Sequence, residues 1–166
     1  MAFMGYKNAD RVYPLARQGK LAIYRDGRPR LDDRLLNVLM YMALRAKSKE
    51  DYRPGKTEKS RMPYWCYWGG NSTMASEMGM LFSPEMRGDL GEATSDEAVD
   101  STAARMEKAT KRISELHGIL EKRGVIKKLV KASNFTGTNN VWLLLLGTPE
   151  ENAEAERIAK AYYGLQ

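Results

Sequence analysis

Between Ser101 and Gly124 the chain carries its most restrictive pattern. Ala103, Met106, Ala109, Ile113, Leu116 and Leu120 recur at intervals of three or four, the period of one helix face. Gly124 ends the run as a C-cap. Gly118 lies inside it, costs about 1 kcal/mol of helix stability relative to alanine, and marks a bend or a close contact. Beyond the stop, "VIKKLVKA" and "NNVWLLLLG" read as strands joined by "SNFTGT", with Gly137 in the turn. A long amphipathic helix running straight into a hairpin makes the chain mainly α with a small β-hairpin, an α+β fold.

The flanking segments fit around that unit. Residues 1–30 read as a short strand or arm, basic through Arg17, Lys20, Arg25, Arg28 and Arg30, with a turn at Asp26-Gly27. From Leu31 a helix is expected, with Asp32 or Asp33 as N-cap and Leu35, Leu36, Leu39, Met42 and Ala43 on its apolar face. "SKEDYRPGKTEKSR" reads as an exposed loop. "MPYWCYWGG" reads as a short buried strand or an irregular core plug, and "NSTMASEMG" as a short helix capped by Asn71 or Ser72. Residues 80–100, with Pro84, Gly88 and Gly91, are expected to form a mobile loop with at most a helical turn. Thr148-Pro149-Glu150-Glu151 starts a last helix to about Tyr163, with Ala155, Ile158, Ala159 and Tyr162 as its stripe.

Composition narrows the class. In 166 residues, an apolar fraction of 43% beside 29% charged residues is that of a soluble globular chain with one domain and appendages. No run approaches the roughly 20 apolar residues of a membrane helix, so no membrane association is expected. Cys66 alone allows no internal disulfide and His117 alone no histidine-based metal cage. With no apolar signal core at the N-terminus, a cytoplasmic protein is expected.

Charge is sorted along the chain. Residues 101–131 hold nine basic and three acidic side chains, whereas 85–100 hold six acidic and one basic. Positive charge therefore gathers on the long helix and hairpin, and an anionic partner is expected there. Opposite the apolar stripe lie Arg105, Lys108, Lys111, Arg112 and Ser114, with Thr102 nearby. The hairpin adds Lys127, Lys128 and Lys131, and Asn139 near its turn. Strand alternation puts Lys127 and Lys128 on opposite faces. A plain solvated helix face would carry the same residue types.

The order of elements resembles a winged helix-turn-helix domain of the bacterial, phage and plasmid regulator and replication-initiator type. "YWGGNSTMASEMG" is similar to the first helix of the helix-turn-helix unit. "ATKRISELHGILEKRGVIKKL" is similar to a recognition helix entering a wing, and "GTNNVWLLL" to the wing's return strand. The resemblance covers residues 31–146 and leaves 1–30 as an N-terminal arm and 147–166 as a C-terminal helix. Such domains have a short turn where residues 80–100 stand here. Either the recognition helix is extended at its start or an acidic loop is inserted.

The resemblance implies sequence-specific binding of double-stranded DNA, for transcriptional control or replication initiation, without catalysis or a cofactor. The recognition helix would offer Thr102, Arg105, Lys108, Lys111, Arg112 and Ser114 to the major groove, while Lys127, Lys128, Lys131 and Asn139 would brace the backbone. The N-terminal arm would add phosphate contacts. A homodimer through the C-terminal helix and packing of that helix on its own domain both stay open. The alternative function is a protein-interaction module with the same fold.

The remaining candidates are expected to be structural. Trp65, Trp68 and Trp142 belong in the core rather than against bases, Cys66 is a small buried residue, and His117 supports the helix. Glu85, Asp89, Glu92, Asp96 and Glu97 lack metal-ligand spacing and read as a solvated loop. No phosphate loop, nucleophile elbow or zinc pattern is present.

Overall fold

A computed structural model describes residues 5–80, 95–133 and 137–166, with the backbone alone for 95–101. Helices α1 (Tyr6–Arg17) and α2 (Asp33–Arg45) flank a hairpin, β1 (Ala22–Arg25) and β2 (Arg28–Leu31). A 3-10 turn (Lys49–Asp51), α3 (Glu58–Arg61), β3 (Cys66–Tyr67) and α4 (Asn71–Glu77) follow. Then come α5 (Ser95–Lys122), β4 (Ile126–Val130), β5 (Val141–Leu144) and α6 (Pro149–Tyr163). Helices and small antiparallel sheets share the chain, as an α+β reading requires.

The core is built where the apolar periods point. Leu35, Val38, Leu39, Met42 and Ala43 of α2 meet Ala109, Ile113, Leu116 and Leu120 of α5 in one buried cluster. Met74 and Ala75 of α4 join them, as do Trp65, Cys66, Trp142, Leu143 and Leu144 from the sheet. Its strand order is β3-β5-β4, all antiparallel. β3 thus adds a third strand to the expected hairpin. Its pairing, Cys66 with Leu143 and Tyr67 with Trp142, covers one edge of β5. Trp65 and Cys66 are fully buried, while Trp68 is only partly so.

Several local expectations change. Over residues 5–30 the expected short strand is present as β1, ending at the expected Asp26-Gly27 turn, while α1 and the return strand β2 replace an extended arm. The helical period of α1 is hidden because the buried positions are Asn8, Val12 and Leu15, with a polar residue leading the stripe and Pro14 inside the helix. Asn8 is admitted because its amide donates to the Ala43 and Ala46 carbonyls, both at 3.0 Å, and its oxygen accepts the Trp65 indole N–H at 3.1 Å. "SKEDYRPGKTEKSR" is not wholly loop. It holds the 3-10 turn and α3, and Ser48 is buried. Just before it, the buried Lys47 ammonium donates to the Lys59, Ser60 and Met62 carbonyls.

The predicted loop over 80–100 is also corrected in part. α5 is already formed at Ser95, so the long helix is extended at its start. Residues 81–94, with Glu85, Asp89 and Glu92, lie outside the described residues. Gly118 marks no close contact, since an added Cβ would meet nothing within 4 Å. α4 is capped by the Gly70 backbone and not by a side chain of Asn71 or Ser72.

α6 begins as its sequence predicts. The Thr148 hydroxyl accepts the Glu151 N–H at 3.3 Å and the Glu151 carboxylate accepts the Thr148 N–H at 3.0 Å, a reciprocal capping box. Ala155 and Ala159 then pack into the core, with Ile158 and Tyr163 half-buried beside them. The helix therefore does pack on its own domain. Among the described residues no helix is long and apolar enough to cross a membrane.

Candidate functional site

α5 divides into two functional lengths. From Ala109 to Leu120 one face is locked into the core, whereas Ala103, Ala104 and Arg105 are exposed and Met106 only half-buried. Over Thr102 to Lys108 the helix is thus less buried than over its well-packed C-terminal part, with Met106 still resting on the core. Gly124, in the left-handed conformation at φ 65°, stops the helix and turns the chain into β4.

The basic side chains form a stripe on this helix. At about 100° per residue, Arg105, Lys108 and Arg112 share one side and Lys111 adjoins them. All four are exposed, and none makes an ion pair or side-chain hydrogen bond among the described residues. Two expected members fall elsewhere. Thr102 is half-buried, one turn before Met106 and two before Ala109, so it belongs to the core-facing stripe. Ser114 is exposed but two residues from Arg112, which turns it to a different side of the helix. Thr110, beside the stripe, spends its hydroxyl on the Met106 and Glu107 carbonyls, both at 2.9 Å.

The hairpin splits its lysines as alternation requires. Lys127 faces α6, where its ammonium bonds the Glu156 carboxylate at 2.8 and 2.9 Å; Lys160 joins the same carboxylate at 3.5 Å. The Lys127 ion pair holds Glu156 below the ordinary carboxylate range. Lys127 is thereby tied to the C-terminal helix and drops out of the basic face. Lys128 stays with α5. Its ammonium lies over the Trp142 ring, 4.8 Å from the centroid, and Trp142 in turn meets His117 of α5 in a tilted ring contact at 5.1 Å.

The tip has its own geometry. A bulge between Lys128 and Val130 shifts the register, so Val130 pairs with Val141. Lys131 follows, exposed, and Ser133 and Thr138 bond backbone to backbone at 3.1 and 3.2 Å. Asn139 reaches the start of α4: a Cβ added at Gly70 would lie 3.4 Å from its Oδ1. Asn134, Phe135 and Thr136 lie outside the described residues.

The groups that could do chemistry are quiet. His117 is 1% exposed, and burial together with the nearby Lys128 charge pushes its imidazole down to about 4. Burial pushes the Cys66 thiol up to about 12, leaving it a thiol near neutral pH. No group of three or more His, Cys, Asp or Glu gathers to hold a metal ion among the described residues. Asp96 and Glu97 fall on α5, in the part described by backbone alone.

A larger cavity of about 810 Å³ opens between α1 and the start of α6, lined by Lys7, Asp10, Arg11, Lys20, Thr148 and Asn152 among others. Its charges are largely paired. Arg11 bonds Glu50 at 3.0 Å, lies 3.5 Å from Glu151 and covers the Trp65 ring at 5.1 Å, while Lys49 bonds Glu151 at 2.6 Å. This network ties three elements together. Sequence periodicity gives no sign of it, because its members lie in three separate segments of the chain.

Among the described residues, exposed basic side chains without an ion pair therefore gather on α5 and the hairpin tip, with a second set on β1–β2, where Arg25, Arg28 and Arg30 are exposed. Compared with protein-family models, with curated proteins and with solved structures, the chain matches none.

Proposed function

We propose that the chain is a winged helix-turn-helix protein that binds double-stranded DNA sequence-specifically, as a transcriptional regulator or replication-initiation protein. Regulation is the simpler role, since occupying a site requires no further machinery. Support comes first from connectivity: α2, β3, α4, α5, then the β4–β5 hairpin, with β3 closing the sheet. In this reading α4 and α5 are the helix-turn-helix pair and β4–β5 is the wing.

One observation carries the proposal. Arg105, Lys108, Lys111 and Arg112 are exposed, and make no ion pair among the described residues, on a helix whose other end is fixed in the core. Arginine bonds guanine bidentately and lysine meets phosphate, so such a stripe suits a major groove. Lys128, Lys131 and Asn139 brace the adjoining backbone, while Lys127 contributes through α6 instead. Asn139, beside the N-terminus of α4, brings the wing and the first helix to one surface.

The test is a salt series on random duplex, followed by selection of a preferred sequence. Binding should weaken steeply between low and physiological salt. On the selected sequence, Arg105→Ala and Arg112→Ala should each cost about 1–3 kcal/mol if they bond bases, and less on random duplex. Absence of DNA affinity at low salt would sink the proposal and favour the protein-docking alternative.

A further inference from the structure

The β1–β2 hairpin is a sorted ribbon. Its register pairs Ala22 with Leu31, Ile23 with Arg30, Tyr24 with Pro29 and Arg25 with Arg28. Directly paired residues share a face and successive residues alternate. One face therefore carries Arg25, Arg28 and Arg30 with Ile23; the other carries Ala22, Tyr24, Pro29 and Leu31, without charge. Asp26 and Gly27, at φ 54° and 72°, make the tight two-residue turn that suits the twist of such a ribbon.

Neither face is covered. Tyr24 is 75% exposed, and every residue from Arg25 to Leu31 is exposed. Arg25, Arg28 and Arg30 make no ion pair or side-chain hydrogen bond among the described residues. The nearby carboxylates leave them so: Asp32 is taken by Arg34 at 2.8 and 2.9 Å, Asp33 begins α2, and Asp26 sits at the turn. A cavity of about 310 Å³ lies at the base of the ribbon, lined by Ile23, Arg25, Arg30, Leu31, Asp32, Asp33 and Arg34.

The base of the ribbon is fixed firmly. Leu21 is fully buried, its carbonyl accepts the Asp32 N–H at 2.8 Å, and Arg123 at the end of α5 donates to the Lys20 carbonyl at 3.0 Å. Along α5, Arg105 lies about 27 Å from Arg123 at ~1.5 Å per residue. That is less than one turn of duplex, about 34 Å.

We propose that the β1–β2 ribbon is a second DNA contact, with Arg25, Arg28 and Arg30 holding phosphates on the flank of the duplex bound by α5 and β4–β5. The inference rests on the DNA-binding reading. Its physical basis is charge complementarity: unpaired guanidinium groups on one face match phosphate, which they bond bidentately. A two-stranded ribbon is also narrow enough to follow a groove.

The experiment compares the full chain with R25A/R28A/R30A on random duplexes of about 12 and about 30 base pairs, roughly one and three turns. The slope of log affinity against log salt should fall by about 2.7 on the longer duplex, three phosphates at about 0.9 each, and by less on the shorter. R25K/R28K/R30K should restore the slope. Unchanged thermal unfolding in both variants shows that the ribbon's loss is one of charge. A wild-type slope in R25A/R28A/R30A would overturn the inference while leaving the α5 reading intact. Bridging of two labelled duplexes by the wild type would overturn placement on one duplex. No wild-type binding to either duplex would remove the α5 reading and the ribbon's role with it.

Discussion

Trp65 is the residue on which the parts of the molecule converge. Its backbone sits at φ 59°, a conformation rare for a large aromatic residue, and it persists because the residue's own backbone and indole groups are all bonded. Its N–H bonds the Lys47 carbonyl at 2.9 Å, its carbonyl accepts Leu144 N–H at 2.8 Å, and its indole N–H bonds Asn8. Asn8 also binds the end of α2, so one amide joins α1, α2 and the approach to β3. Asn8→Ala leaves the fully buried indole N–H without the partner it has among the described residues and removes two further bonds. With about 1–3 kcal/mol for each buried group left unpaired, the variant should lose about 3 kcal/mol or more. Urea unfolding measures that loss; a change under 1 kcal/mol would show that Asn8 is not the joint described.

At the scale of elements, the long helix gives the sharpest reversal of an expectation. Gly118 reads in sequence as a bend or a close contact, yet its surroundings leave open space for a methyl group and its backbone is helical. Gly118→Ala should therefore stabilise the protein by about 1 kcal/mol through helix propensity alone, seen as a raised denaturant midpoint with an unchanged slope. A loss of stability would mean that the position serves a purpose the packing does not reveal. The same element shows what was legible from residues alone. The stripe of Ala109, Ile113, Leu116 and Leu120, the stop at Gly124 and the capping box of α6 rest on local chemistry, which a sequence carries openly. α1 was hidden, and β3 was legible only as one of two readings of its segment, because their positions depend on distant partners: Asn8 is buried against Trp65 and α2, and the two residues of β3 pair with β5. The candidate face was legible in its charges but not in their sorting. Lys127 is withdrawn by Glu156, 29 residues on, and Thr102 is turned toward the core by where the helix packs.

Across the whole molecule, burial of His117 between α5 and the sheet couples folding to pH. The imidazole is against Trp142, with the Lys128 ammonium on that ring's face, and burial followed by that charge lowers its folded value from 6.5 to about 4. The folded state therefore keeps His117 neutral over a range in which the unfolded chain takes up a proton. Well above pH 6.5 neither state is protonated there and the residue imposes no pH dependence. As pH falls from about 6.5 toward 4 the unfolded state is favoured, by up to about 1.4 kcal/mol per pH unit. The carboxylates held low by their partners, Asp32, Glu50, Glu151 and Glu156 among them, add their own losses below their ordinary range near 4. The interval from pH 7 to 5 consequently isolates the histidine, and stability should fall there by about 2 kcal/mol. His117→Leu or His117→Phe should flatten that interval, whatever its effect on stability at pH 7, while the fall below pH 4.5 should remain. Chemical unfolding of wild type and both variants at half-unit steps decides it. An equal decline from pH 7 to 5 in all three would show that His117 does not carry the coupling, and that the joint between helix and sheet tolerates a proton.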